Sequence, residues 1–414
     1  MEDIDSARRA PFGSNPHVGG AGRATQLRIL TAAAEVFAAD GYARTSVEAI
    51  TAHAGCSRPT FYQYFSGKED LHRRLATRLG TELAALVEDL GVVDASADGR
   101  AALAQWLEGL MATYERHRAV VDNFSASVRT DDQMVRGAGT LSNRYRAALA
   151  DAIHEPTELG ASIDAVAAVV NSMAFGACTF RQRMGGVPID RLTEALADTI
   201  HRSFFGPIDG VNLGPRRRTG IPGQATVPKP AEPEPPSGRG RQTRDRLVDA
   251  AAKAFASLGY DSVRVDDIVS EAGVSHGSFY RYFADKEAVY TEHLEVMMTE
   301  VVALCADLPA SDPRAWMDRY FEMYGRRGGI ISNLPEAFAA GVTAAPEARA
   351  TGGAALAAAM ERRSFGDADA DIFVAFALLD SVPAAAFRPG GTSQDEAIPA
   401  ASRVLHAGLF GRGD

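Results

Sequence analysis

Ser57, Arg58, Thr60, Tyr62 and Tyr64, with Lys68 shortly after them, put four hydroxyls, a guanidinium and an ammonium within twelve residues. Donors of this kind suit phosphate oxygens and the edges of bases. The surrounding stretch, Cys56-Ser57-Arg58-Pro59-Thr60-Phe61-Tyr62-Gln63-Tyr64-Phe65, is answered at Val274 to Phe283 by Val-Ser-His-Gly-Ser-Phe-Tyr-Arg-Tyr-Phe. One offset of 218 residues carries Gly41 onto Gly259 and Lys68 onto Lys286, and with them Phe37, Tyr42, Val47, Ile50, Ala54, Gly55 and Ser57 onto their counterparts. The chain is a tandem repeat. Any one of these residues alone reads more readily as core aromatic or solvated charge; the whole string, twice at fixed spacing, reads as DNA-binding chemistry. The candidate contacts are Thr45, Ser46, Ser57, Arg58, Pro59, Thr60, Tyr62, Tyr64 and Lys68 in the first copy. In the second they are Arg264, Ser275, His276, Gly277, Ser278, Tyr280, Tyr282 and Lys286.

Three helices are needed to position these groups. From Thr25 to Asp40 the residues Leu27, Leu30, Ala34 and Phe37 recur at helical spacing, and Gly41 follows as a residue able to take positive φ. Thr45 is placed to cap a second helix presenting Val47 and Ile50, and Gly55 makes the turn after Ala54; in the second copy Val263 cannot cap, and Ser262, one position earlier, is expected to take over. Ser57 caps a short third helix, whose Phe61 and Phe65 share one face and leave the polar groups for the other. A helix of this kind fits the major groove with its N-terminal side chains toward the bases.

The order of a helix ending at Gly-Tyr, then Thr-Ser-Val, Ala-Gly and Ser-x-x-x-Phe-Tyr-x-Tyr-Phe-x-x-Lys-Glu resembles the N-terminal domain of the tetracycline-repressor-like (TetR) family of bacterial regulators, nearly throughout Arg23 to Leu71. The resemblance implies an all-α chain in which each DNA-binding domain joins a larger helical domain that binds an effector and dimerises. It also implies a phosphate contact at Lys68. Most members carry one such unit; this chain carries two.

At 414 residues the chain is long enough for several cores, and its 8% aromatic content in alanine-rich helical patterns suits an all-α protein. Cys56, Cys178 and Cys305 match no metal or redox spacing and fit a reducing cytoplasm; no disulfide, metal or cofactor is expected. The net charge of −10 is unusual for a DNA binder, but it is unevenly spread. Residues 23–74 hold seven Lys or Arg against five Asp or Glu, while 241–292 hold seven against nine. Phosphate contacts dominate non-specific affinity, so the first copy is expected to grip DNA better by itself.

The expected domains are an arm over 1–22, a helix-turn-helix domain over 23–70, a helical effector and dimerisation domain over 71–206, a Pro- and Gly-rich linker over 207–238, a second helix-turn-helix over 239–288 and a second helical domain over 289–414. The arm lacks the apolar run of a secretory signal. Lys68 to about Leu90 reads as a connecting helix, followed by helical segments Ala101 to Thr130 and Met134 to Ile153. Their aromatic stripe includes Trp106, Met111, Tyr114 and Phe124, matched later by Trp316, Tyr320 and Tyr324; the stripe reads as core, and the family implies an effector pocket there. Ala161 to Arg183 and Asp190 to Phe205 resemble the family's dimerising helices rather than a membrane span. The second copy shortens into Trp316 to Tyr324, Pro335 to Phe338, Asp369 to Phe387 and Ser393 to Phe410, whose end, Val404 to Gly411, echoes Thr199 to Gly206.

These readings converge on a cytoplasmic regulator, by family habit a repressor, that binds a double-stranded DNA operator and is relieved by a small apolar effector. Fusion raises the effective concentration of one copy for the other, which favours an intramolecular pseudo-dimer over a homodimer of chains. One rival reading has only the first helix-turn-helix on DNA, the second half serving as sensor and dimerisation partner. Others are an architectural protein of the same fold, or a helical ligand-binding protein or enzyme that has lost DNA binding. No nucleophile-base pair or Gly-rich phosphate loop supports an enzyme, and Gly328-Gly329 and Gly352-Gly353 read as simple breaks.

Overall fold

A chain rich in alanine and punctuated by single apolar residues at helical spacing buries itself helix on helix. The computed structural model describes residues 20–42, 44–121, 131–156, 160–184, 186–208, 239–361, 366–388 and 391–411. The arm up to residue 19, Phe124 and the linker from residue 209 onward lie outside these residues. Apart from one isolated bridge between Val93 and Ile153, the regular elements described are helices. In the first copy these are α1 (Gly20–Asp40), α2 (Val47–His53), α3 (Arg58–Tyr64), α4 (Lys68–Glu88), α5 (Ala97–Arg116), the single turn α6 (Arg118–Val121), α7 (Asp132–Ala152), α8 (Ile163–Met184) and α9 (Ile189–Phe205). The second holds α10 (Arg239–Leu258), α11 (Val265–Ala272), α12 (His276–Tyr280), α13 (Lys286–Ala306), α14 (Pro313–Ala339), α15 (Ala344–Met360), α16 (Ala368–Phe376), α17 (Val382–Ala386) and α18 (Gln394–Arg403). Two π-helical stretches, Ala377–Ser381 and Val404–Leu409, continue α16 and α18.

Two compact units result, residues 1–89 with 109–144, and residues 90–108 with 145–414. In the first unit, α1 packs on α2, α4 and α6 around Ile29, Phe37, Ile50, Phe61, Phe65 and Leu71, each at most 1% exposed.

The second unit holds the second helix-turn-helix and the closing helix pairs of both copies. Its α10 crosses α14 closely: a Cβ on Gly329 would stand 2.8 Å from the Cα of Ala256. Gly328 and Gly329 are therefore not breaks, and α14 runs as one helix through the interval expected to separate Trp316 to Tyr324 from Pro335 to Phe338. Gly352 and Gly353 likewise lie inside α15, an Ala- and Gly-rich helix that the apolar spacing did not announce. Buried Asn333 joins α14 to the end of α10, donating to the Phe255 carbonyl (2.7 Å) and accepting from the Tyr260 amide (2.8 Å). Tyr290 donates to the Ile330 carbonyl at 2.9 Å.

The closing helices are where the copies meet. α8 lies against α16, α17, α18 and the π turn Ala377–Ser381, while α9 lies against α16 and the π stretch Val404–Leu409. Ile163–Gln182 is long and apolar enough to cross a membrane by length and composition, yet Val166, Met173, Ala174 and Ala177 are fully buried within the unit.

Replacing Asn333 by Leu strands the Tyr260 amide in an apolar crossing. We expect a loss of about 2 kcal/mol, read as a lower urea midpoint, with faster hydrogen exchange at Tyr260.

Candidate nucleic-acid interface

The recognition helices are held from below by paired phenylalanines. Phe61 and Phe65 are fully buried with ring centroids 5.7 Å apart, and Phe279 and Phe283 repeat the arrangement at 5.7 Å. Positions turned away from this buried edge of the helix are left to face out. Tyr62 and Tyr280 do so, 46% and 57% exposed, each edge-on to the buried phenylalanine before it. Ser57 caps α3 by accepting from the Thr60 amide at 3.2 Å, and its hydroxyl meets the Thr60 hydroxyl at 2.9 Å. Ser275 and Ser278 repeat both contacts. Gly55 and Gly273, at φ 59° and 61°, make the turn between the two short helices in the left-handed region that glycine enters freely.

The exposed face of the first copy therefore carries Ser46, Ser57, Arg58, Pro59 and Tyr62, with Thr60 and Tyr64 half-buried. Arg58 pairs with Glu48 of α2. The Tyr62 hydroxyl first, and Glu48 second, hold its guanidinium more firmly charged than usual. His276 pairs with Asp266 at the equivalent position of the second copy, where Ser275, Gly277, Tyr280 and Arg264 are exposed and Ser278 and Tyr282 half-buried. An acid from the preceding helix thus sits on each leading basic residue.

Three expectations need correction. Thr45 does not cap α2; it is 3% exposed and donates to the Gly41 carbonyl at 2.8 Å, and Ser46 caps instead by accepting from the Ala49 amide. The branched side chain belongs in the core, as Val263 in its place confirms at 1% exposure. Nor does Ser262 cap α11, because the Asp267 carboxylate accepts from the Arg264 amide at 2.8 Å. Lys68 is not held out toward phosphate. Its ammonium donates to the carbonyls of Tyr42 and Thr45, both at 3.0 Å, and lies 4.7 Å from the Tyr42 ring centroid. Lys286 repeats this with Tyr260 (2.8 Å), Val263 (3.0 Å) and the Tyr260 ring (4.6 Å). Each lysine clamps the loop that enters the second helix of its domain.

Gln63 and Arg44, not among the candidate contacts, are exposed as well. Gln63 sits two positions from Phe61, across the helix from the buried face, so the spacing contained the signal. Their counterparts are Arg281 and Ser262. The second copy has therefore moved its guanidinium groups to Arg264 and Arg281, both exposed, as Arg58 became His276.

The aromatic stripes form core rather than a chamber. Trp106 and Met111 are 3% and 2% exposed, Tyr114 is buried, and Trp316 stacks on Tyr320 at 5.3 Å while donating to the Leu304 carbonyl. Tyr324 donates to Asp380 at 3.4 Å. A hollow of about 370 Å³ opens elsewhere, in the first unit, among Tyr42, Glu69, His72, Arg73 and residues 131–133, and it is polar. A second, of about 10 Å³ beside Arg100, Asp198 and His201, has room for little beyond a water.

The model of the tetR family of bacterial regulatory proteins matches residues 29–75 and again residues 247–292, the two segments just described. The chain carries two tetR-type domains. Among curated proteins it resembles the HTH-type transcriptional regulator YdgC of Bacillus subtilis, 43% identical over 54 residues that make 13% of this chain and 28% of that one. The HTH-type transcriptional repressor KstR2 of Rhodococcus jostii is 35% identical over 95 residues, 22% of this chain and 45% of the relative. The HTH-type transcriptional regulator AcrR of Shigella flexneri is 29% identical over 73 residues, 18% and 34% of the two chains. The matches thus span less than half the length of each relative.

The first tetR-type domain has a titratable group in its core. His72 of α4, 2% exposed among Phe37 and Tyr42, occupies the place of Tyr290 in the second. Burial pushes its pKa down to about 4, and nearby Asp131 opposes this only in part. Its folded value lies below the ordinary 6.5, so the unfolded chain takes up the proton first, and stability falls as pH drops from about 6.5 toward 4. Over that window we expect a loss on the order of 3 kcal/mol, measured by denaturation against pH and largely abolished in H72F.

Proposed function

We propose that the chain is a DNA-binding transcriptional regulator, acting as a repressor, whose two tetR-type domains are unlike reading heads for double-stranded DNA. The observation that carries this reading is the exposed donor set at the start of α3, Ser57, Arg58 and Tyr62 with Gln63, standing on buried Phe61 and Phe65. Those side chains match base edges and phosphates in a major groove. Clamped by Lys68, the loop before α2 presents Arg44 and Ser46 beside them.

The second head offers Arg264, His276, Tyr280 and Arg281 in a different arrangement and on a shorter helix, so an operator with unlike half-sites fits better than a palindrome. Its surplus of carboxylates makes it the weaker grip, and the first head supplies most of the affinity. Repression agrees with the similarity to KstR2, a transcriptional repressor. A small apolar effector would have to open its own space in an aromatic core, since neither hollow described is an apolar chamber. A DNA partner supports a cytoplasmic location, and the resemblance to transcriptional regulators supports a binding protein rather than an enzyme.

The test is binding of full-length protein to fragments of its own upstream DNA at several salt concentrations. Alanine at Arg58 together with phenylalanine at Tyr62 is expected to weaken specific binding about 30-fold or more. The pair H276A and R281A is expected to cost less and to relax only one half-site. Absence of specific, salt-dependent binding at low salt would reject the regulator reading.

A further inference from the structure

A second register links the closing helices of the two copies. An offset of 205 carries the first residues of α8 and α9, Ile163 and Ile189, onto Ala368 and Gln394, where α16 and α18 begin, and Phe205 onto Phe410. In that register Gly176 is equivalent to Ser381, and Ser203 to Gly408. These equivalent residues touch one another. A Cβ on Gly176 would stand 2.8 Å from the Cβ of Ser381, and a Cβ on Gly408 would stand 2.7 Å from the Thr199 carbonyl oxygen and closer still to the Ser203 hydroxyl. Equivalent residues meet only at a two-fold or pseudo-two-fold axis. The contact is therefore built like a symmetric dimer interface, but with a glycine facing a serine at both crossings.

We propose that this face is committed to unlike pairing within one chain, the closing helices of the first copy accepting those of the second while neither pair accepts its own duplicate. Pairing the first copy with itself would set Ser203 against Ser203 where only one side chain fits, and leave a gap between two glycines at 176. Pairing the second with itself would set Ser381 against Ser381 and leave the gap at 408. Each self-pairing contains one clash and one void, and both are costly in a close-packed crossing.

The charges divide in the same way. Arg191 donates to both oxygens of Asp367, at 2.5 and 2.6 Å, and reaches Asp369 at 3.3 Å. In the shared register Arg191 is equivalent to Glu396, and Asp367 to Ser162. Self-pairing of the second copy would thus bring Glu396 toward Asp367, two carboxylates, and self-pairing of the first would put Ser162 in the place of Asp367 and leave Arg191 only Asp164, the equivalent of Asp369. Phe180 stacks on Phe376 at 5.3 Å, where the equivalent positions hold Ala385 and Asn171. Arg403 donates to the Ser203 carbonyl at 2.6 Å, while its equivalent, Asp198, has nothing to donate. Packing and charge select the same arrangement, one by exclusion and the other by attraction. This pairing is independent of whether either head binds DNA.

Sedimentation equilibrium of the full chain over the micromolar range should give a single species at the one-chain mass of 43.9 kDa. G176S should lower the thermal midpoint by about 5 °C or more, and S381G placed beside it should recover most of that loss by exchanging the two partners. R191E and D367R, milder changes nearer the surface, should each destabilise, and the double charge swap should be more stable than either. A two-chain mass at every concentration would overturn pairing within the chain. A G176S/S381G protein no more stable than G176S, or a charge swap no better than its parents, would overturn the complementarity.

Discussion

The face that α8 and α9 turn inward is apolar and lined by small residues, and it can be taken out of water only by helices able to approach within the reach of a serine side chain. The second copy supplies those helices. Gly176 admits Ser381, Gly408 admits Ser203, and Phe180 closes on Phe376. The second copy alone departs from regular α-helix here, through Ala377–Ser381 and Val404–Leu409, and these are the turns lying on α8 and α9. A π turn is wider than an α turn and re-aims the side chains beyond it, which lets an unequal pair of helices fit where an equal pair would rely on symmetry.

A different constraint shapes each reading head. A five- or seven-residue helix cannot hold itself in water. It depends on two phenylalanines beneath it, a serine cap at its start and a glycine in the left-handed region before it. The lysine clamp completes the set by fixing the loop ahead of the preceding helix through two carbonyls and a tyrosine ring. Burial lowers the pKa of Lys286 somewhat, with Asp261 opposing, so the ammonium is placed for hydrogen bonding inside the fold at some cost in hydration. Because the same bonds recur in both copies while Arg58, Pro59 and Gln63 have changed, the scaffold and the reading face vary separately.

Most of this was legible in the sequence because it rests on local rules. The paired phenylalanines, the capping serines and the turn glycines lie within one or two helical turns of what they organise, and repetition at one offset separates them from chance. Where the reading failed, the deciding partner lay far along the chain. Lys68 resembles a phosphate contact until the carbonyls of Tyr42 and Thr45 are found beside it. Gly329 resembles part of a break until Ala256 is found across the crossing. α15 escaped notice because alanine and glycine carry helix without an apolar stripe to mark it. The aromatic stripes could not be told from a pocket by spacing, since core and cavity lining share one periodicity.

Unlike pairing and unlike heads bear on each other. In a homodimer every substitution appears twice, so a change in one recognition helix changes both half-sites and the symmetry of the site is preserved. In this chain a change appears once. His276 can stand where the other copy has Arg58, and Arg281 where it has Gln63, without altering the first head. That freedom lasts only while the first copy's closing helices meet the second's and not another copy of themselves. Ser203 against Gly408, Ser381 against Gly176 and Arg191 against Asp367 enforce that condition at three separate points. The asymmetry of the interface is thus what allows asymmetry at the reading faces to be retained, and it explains why a chain of this kind keeps both copies joined.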